Sequence, residues 1–283
     1  LLYKQVGKTD LALQDLVTYL DTNPSGYKYA RRAEVYKGLN MPREAIDDYI
    51  KAISFGTYNT SMFNAIFNLC KETDAYNETI EALDKAIIDA PNNKWLYFIR
   101  ASLHAEQGDQ SAAAADFTQA IELDATQKSW FDARANAYAQ LNKNSLALAD
   151  RIQVVKFEAA SDNDRSQLAN FCQEKDLCER TITQLTEALV KEPNNLQLLL
   201  ARARIHLLQD IEKALDDYTK AIVLNPSNAR IYQLRAEARK TSGDSEGAIA
   251  DYLQAIALNE TDFFTAASVT LSLIHISEPT RPY

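Results

Sequence analysis

Few residues in this 283-residue sequence have the types and spacing that chemistry requires. It holds three His (His104, His206, His275) and three Cys (Cys70, Cys172, Cys178). A catalytic site needs a nucleophile, a base and a group that orients the base, and no such trio can be assembled around them. No phosphate-cradling G-x-x-x-x-G-K-[ST], no G-x-G-x-x-G and no zinc-binding H-E-x-x-H occurs. The cysteines form no C-x-x-C pair, and their one close spacing, Cys172 to Cys178, fits neither a disulfide framework nor a zinc knuckle. The expectation is a reducing compartment and no catalytic residue, metal or cofactor.

Composition narrows the classes further. With 39 Asp+Glu against 30 Lys+Arg the net charge is -9, whereas a nucleic-acid binder needs a basic face for phosphates. Only 7 Gly and 7 Pro are present, too few for a fold built from many β-hairpins. The 46% hydrophobic content is too high for a disordered chain. No run of about twenty apolar residues offers a membrane span. A long helical protein remains.

The elements that would position any site are set by a repeat. Ala52, Ala86, Ala120, Val154, Ala188, Ala221 and Ala255 stand 34, 34, 34, 34, 33 and 34 residues apart. A second small column, seven residues earlier, holds Ala45, Thr79, Ala113, Ala147, Thr181, Ala214 and Ala248. Between them runs an aromatic or aliphatic column, Tyr49, Leu83, Phe117, Leu185, Tyr218 and Tyr252, interrupted by Arg151. Spacings of three and four put all three columns on one helix face. Earlier in each unit a further stripe runs through Ala33, Phe67, Ala101, Ala135, Ala169, Ala203 and Ala236. Three residues on stand Tyr36, Cys70, His104, Tyr138, Cys172, His206 and Arg239, facing a partner helix. His104 and His206 are therefore read as packed side chains, and Cys70 and Cys172 as small apolar core residues. Turn signals such as QGDQ around Gly108 and SGDS around Gly243 separate the stripes, and Pro24, Pro91, Pro193 or Pro226 follows the second helix. The Asn92–Asn93 and Asn194–Asn195 pairs read as turn formers. A single helical hairpin cannot bury its own apolar face, so the units must stack.

This pattern resembles the tetratricopeptide repeat, whose 34-residue helix-turn-helix unit carries small, aromatic and Pro columns in this order. Arg32 to Ile53 is a close match, and the resemblance covers about residues 1 to 270. It implies an all-α fold, a right-handed α-solenoid of stacked helix-turn-helix repeats of about 34 residues. The expected units are 1–25 (partial), 26–59, 60–93, 94–127, 128–161, 162–195, 196–228, 229–262 and 263–270 (partial). Units 60–93 and 162–195 match least well.

Two regularities come from comparing the units with one another. Five units carry Arg before the first small residue and Asp before the aromatic column: Arg32 with Asp48, Arg100 with Asp116, Arg134 with Asp150, Arg202 with Asp217 and Arg235 with Asp251. The two units with Ile66 and Leu168 at the Arg position also lack the Asp, having Ala82 and Gln184. The co-occurrence predicts a bidentate pair across each hairpin, structural in role. Second, Cys70/Cys172, His104/His206, Thr79/Thr181 and Pro91/Pro193 are each 102 residues apart, so the units come in trios, as duplication of a three-unit block would leave them.

The resemblance implies that first helices line a concave groove for an extended or helical peptide, making the partner a protein or peptide. Outward first-helix positions include Tyr27, then Asn64, Asn68 and Lys71, then Trp95 and Phe98, then Asn136, then Asn170 and Gln173, then Leu200, and last Gln233 and Lys240. Asn68, Asn136 and Asn170 share one column, and an amide can both donate to and accept from a peptide backbone. Trp95 and Phe98 are the candidates for an apolar pocket, with packing of Trp95 near Tyr58 as the other reading. The family's two-carboxylate clamp needs Lys and Asn on successive first helices, and no such set is found.

The ends fall outside the pattern. The chain starts at Leu1 without Met and in mid-repeat, so residues ahead of it, including any signal peptide, are expected to be missing. Localisation stays open between the cytoplasm, which the cysteines favour, and the periplasm or cell envelope. Residues 271–283, LSLIHISEPTRPY, break the repeat, and the first eleven resemble translated sequencing-adaptor sequence. They are expected to be a non-native tail. The expected function is an interaction scaffold or adaptor; the alternatives are an accessory array of a larger enzyme or signalling protein, and a cell-envelope assembly protein.

Overall fold

The computed structural model describes residues 23–258 and, ahead of them, Gln14, Asp15, Val17, Thr18 and Leu20. The expected partial unit at 263–270 and the tail at 271–283 lie outside the described residues, as does most of the partial unit at 1–25. Among the described residues there are α-helices and no strand. The helices are α1 (Gly26–Gly38), α2 (Pro42–Ser54), α3 (Thr60–Thr73), α4 (Tyr76–Asp89), α5 (Lys94–Glu106), α6 (Gln110–Leu123), α7 (Lys128–Gln140), α8 (Asn144–Lys156), α9 (Asp162–Glu174), α10 (Cys178–Lys191), α11 (Leu196–His206), α12 (Ile211–Leu224), α13 (Ala229–Ser242) and α14 (Ser245–Leu258). They fall into two compact units, residues 1–147 and 148–283, divided within α8.

First helices begin on short polar caps at the same repeat position, except α7, whose Gln127 makes no side-chain cap bond. Ser25, Asn59, Asn93, Ser161, Asn195 and Asn228 each accept a backbone N–H from the first turn that follows, satisfying donors that a helix start leaves orphaned. Asn93 and Asn195, expected only as turn formers, are helix caps. Ser161 forms a full capping box with Asp164.

The small columns let helices cross closely. Ala33 and Ala45, Ala101 and Ala113, Ala203 and Ala214, and Ala236 and Ala248 are all fully buried, and α1/α2, α5/α6, α11/α12 and α13/α14 pack extensively. α3/α4 and α9/α10 pack far less extensively. These are the weakly matching units, where Thr79 and Thr181 replace Ala and Phe67 stands in the first column. Leu83, Leu96, Ile99 and Leu103 form the core of the first unit, continuous with Tyr49, Ile53 and Ile66. In the second unit Leu200, Ala203, Tyr218, Ala221, Ile231 and Leu234 pack together.

One column emerges only from the backbone. The hairpin turns place Asn40, Asp74, Gly108, Asn142, Asp176 and Gly243 at φ of 60°, 54°, 85°, 56°, 53° and 90°. Each lies at the end of a first helix, where a left-handed residue stops it, and Gly, Asn and Asp tolerate that region best. The exception is the unit 196–228, which is one residue short: no positive φ occurs between Asp176 and Gly243. There Asp210 N–H closes the turn onto the His206 carbonyl at 2.7 Å.

Candidate functional site

The charged residues inside the hairpins are positioned by the repeat and share one geometry. Arg32 donates from Nε to Asp48 Oδ2 at 2.6 Å and from Nη2 to Oδ1 at 2.7 Å. Arg100 with Asp116 gives 2.7 and 2.6 Å, Arg202 with Asp217 gives 2.9 and 2.7 Å, and Arg235 with Asp251 gives 2.8 and 2.7 Å, through the same atoms. All four carboxylates are buried. Hydrogen bonding to Asp48 and Asp116 holds the Arg32 and Arg100 guanidinium groups more firmly protonated. Arg134 and Asp150 fall in different compact units.

The outer Nη1 has a second task. Arg100 reaches Asp84 Oδ1 at 2.6 Å, Arg134 reaches Thr118 Oγ1 at 3.0 Å, Arg202 reaches Thr186 Oγ1 at 2.9 Å, and Arg235 reaches Thr219 Oγ1 at 3.1 Å. Each acceptor sits 16 residues earlier, on the second helix of the preceding repeat. Where Arg gives way to Ile66 and Leu168, the matching earlier residues are the buried Ile50 and Ile152. Polar meets polar and apolar meets apolar at this step between repeats, a relationship sequence reasoning missed although a comparison at a 16-residue offset could have found it.

The proposed partner-facing residues divide into exposed and engaged. Tyr27 is 63% exposed, with the Arg31 guanidinium 5.9 Å from its ring centre. Asn64, Asn68 and Lys71 on α3, Asn136 on α7, Asn170 and Gln173 on α9, and Lys240 on α13 are exposed. Trp95 and Phe98 on α5 are half-buried in an aromatic cluster. Trp95 stacks on Tyr58 with centroids 3.7 Å apart and meets Trp130 edge-on at 5.2 Å, while Phe98 packs on Phe63 at 5.1 Å and Trp130 at 5.4 Å. Leu200 and Gln233, expected to face outward, are buried at 6% exposure each. Leu200 belongs to the core of the second unit, and Gln233 accepts from Arg230 Nη1 at 3.1 Å.

The histidine and cysteine column is buried in part. His206 is buried 4.0 Å from Asp217 Oδ2, and burial pushes its pKa down, so it stays neutral. Cys70 is buried 3.2 Å from Thr79 Oγ1, its thiol pushed up by burial. Cys172 departs from expectation: it is joined to Cys178 in a disulfide. The left-handed Asp176 folds the start of α10 back over the end of α9 and brings the two Cα atoms to 4.7 Å, a proximity that spacing alone does not reveal. No group of three His, Cys, Asp or Glu that could hold a metal occurs among the described residues. No helix among them is long and apolar enough to cross a membrane.

Two concavities lie within single units. A groove of about 960 Å³ in the first unit runs between α2 and α4, floored by Ile46, Ile50, Ala82 and Ala86 and walled by Asp47, Lys51, Glu81 and Lys85. A small pocket of about 80 Å³ in the second unit is lined by Asp162, Arg165, Ser166, Arg204, Tyr218 and Arg230, among others. Arg165, absent from the sequence-based candidates, is buried there and bonded to Asp162, to the Ala160 carbonyl at 3.2 Å and to Gln197 Oε1 at 2.6 Å.

Helical hairpins with caps, small crossings and a left-handed turn at one spacing define a repeat protein of the all-α class. The tetratricopeptide repeat family model matches residues 96–127 and 229–262, and the other hairpins carry the same columns in register: the chain is an array of tetratricopeptide repeats. It is similar to human tetratricopeptide repeat protein 16, 23% identical over 239 residues that cover 80% of this chain and 24% of that protein. It is also similar to chicken DnaJ homolog subfamily C member 3, 22% identical over 92% of this chain and 58% of that protein. The chain thus spans about a quarter of the length of the first of these relatives. Among solved structures, yeast Tom70 aligns over 95% of this chain and 59% of its own, at 15% identity and a TM-score of 0.44. Repeats of this family generally serve as protein–protein interaction scaffolds.

Proposed function

We propose that the chain is a scaffold whose first helices bind a peptide or protein partner. The observation that supports this reading best is the exposure of Asn68, Asn136 and Asn170 at one repeat position, next to Phe67, Ala135 and Ala169 of the first-helix column. Amides offer donors and acceptors together and suit an extended backbone. Asn64, Lys71 and Tyr27 extend this face in the first unit, Gln173 and Lys240 in the second. Trp95 and Phe98 contribute their uncovered edges and otherwise hold the face together.

The test is partner capture by wild-type protein and an Asn68→Ala, Asn136→Ala, Asn170→Ala variant whose helicity and melting are unchanged. Loss of capture supports the reading; equal capture removes it. A second reading, an accessory array within a larger enzyme or signalling protein, is favoured by the span of this chain over only part of its relatives, and the uninterrupted gene sequence decides it.

A further inference from the structure

The hairpin α9/α10 is held differently from the hairpins that follow it. It lacks the Arg–Asp pair, having Leu168 and Gln184 at those positions. Its two helices pack far less extensively on each other than those of α11/α12 or α13/α14, and each packs more extensively on α11 than on its own partner. A covalent bond joins them instead. The disulfide links Cys172, in the last turn of α9, to Cys178, the first residue of α10.

The chain carries its own comparison. The hairpin α3/α4 is the equivalent unit 102 residues earlier. It has the same left-handed turn, at Asp74 instead of Asp176, and the same sparse packing between its helices. Cys70 stands there in the place of Cys172, but Tyr76 replaces Cys178, and the free Cys70 thiol meets Thr79 Oγ1 at 3.2 Å. The same turn is thus closed without a disulfide in one copy and with one in the other. A bond that the turn does not require can open while both helices stay seated on α11. Of the two linked residues only Cys178 keeps exposed surface, 9% against 0% for Cys172, so a soluble thiol meets Cys178 first.

We propose that Cys172 and Cys178 form a thiol–disulfide exchange site, worked by a dithiol, whose reduction loosens the α9/α10 hairpin. A thiolate of the dithiol attacks Cys178 Sγ, forming a mixed disulfide and releasing Cys172 Sγ, which takes up a proton. The second thiol of the reductant then attacks the reductant's sulfur in the mixed disulfide, freeing the Cys178 thiol and leaving as a cyclic disulfide. Two electrons and two protons pass to the protein, and a disulfide oxidant reverses the sequence. Asn170 and Gln173 flank Cys172 on α9, so the reduced hairpin presents them less firmly; this last consequence rests on the first-helix reading of partner binding.

The full chain, oxidised and folded, is incubated with dithiothreitol and followed by hydrogen exchange with mass spectrometry, free thiols being counted by alkylation of quenched, denatured aliquots. The count should rise from one, Cys70, to three. Peptides spanning 170–181 should then exchange about tenfold faster and recover with oxidised glutathione. Peptides spanning 68–79 and 196–224 should not change. Cys178→Ala should exchange at the fast rate with and without dithiothreitol; if it does not fold, the wild-type comparison decides alone. The assignment is overturned by a bond that dithiothreitol opens only in denatured protein, or by exchange that reduction leaves unchanged. Faster exchange spreading over 196–258 would overturn it too, because that marks unfolding of the unit. Hydrogen exchange needs no partner, so this result and capture by the triple Asn variant can fail separately. Equal capture by oxidised and reduced protein would remove the partner consequence alone.

Discussion

Arg100 grips Asp116 with two parallel hydrogen bonds and reaches Asp84 with the nitrogen left over. One side chain thereby ties its own hairpin together and ties that hairpin to the previous repeat. Arg202 and Arg235 repeat the arrangement with Thr186 and Thr219 as the outer acceptors. The guanidinium suits this role because its planar fork holds a carboxylate bidentately and keeps donors for a third partner.

Asp116→Ala should cost about 2–3 kcal/mol, because it removes both fork hydrogen bonds and leaves Arg100 held only by the more exposed Asp84. The double variant Arg100→Ile, Asp116→Ala, copying the Ile66 and Ala82 unit, should recover most of the loss. Melting midpoints of the single and double variants measure the coupling. Additive losses would show that the pair is not a unit.

Gly108→Ala should destabilise by about 1 kcal/mol through its left-handed backbone, since an added Cβ meets nothing within 4 Å. Asn142→Gly should be neutral or stabilising by the same argument. Urea midpoints of both variants check the sign.

Denatured protein without reductant should show one reactive thiol, Cys70, and three after reduction, because Cys172 and Cys178 are paired. A link closing so short a loop contributes about 2 kcal/mol in the chain-entropy treatment. Thiol counting and melting with and without reductant measure both.

Asp124 bonds to Lys94 and to Thr126, and those hydrogen bonds lower its pKa from 3.8 to about 2. A carboxylate depressed on folding stabilises above its unfolded pKa and loses that contribution as pH falls through the folded value. Wild type should therefore exceed Asp124→Asn in stability at pH 6, with the gap closing between about pH 4 and pH 2. A gap independent of pH would contradict the ion pair.

The sequence shows its helices through columns at a constant step, and the sixteen-residue separation of Arg100 and Asp116 is visible there. The third bond, to Asp84, is hidden because it crosses repeats. The left-handed column mixes Asn, Asp and Gly, which share a backbone tolerance and no side-chain pattern. The link of Cys172 to Cys178 depends on that turn at Asp176. Burial of Leu200 and Gln233 escapes a reading of one helix face because it depends on neighbouring helices. Trp95 lay between two readings, exposed anchor or partner of Tyr58, and the stacking at 3.7 Å supplies the second contact.

The central claim is that partners are held on the first helices. Its most direct test compares capture of the same partner by wild type, by the Asn68/Asn136/Asn170 alanine variant, and by a control carrying Ile88→Lys, Val190→Lys and Val223→Lys. Those three residues are 76–78% exposed on second helices. The account predicts that the control retains the partner and the alanine variant loses it. Retention by the alanine variant with loss by the control would contradict it.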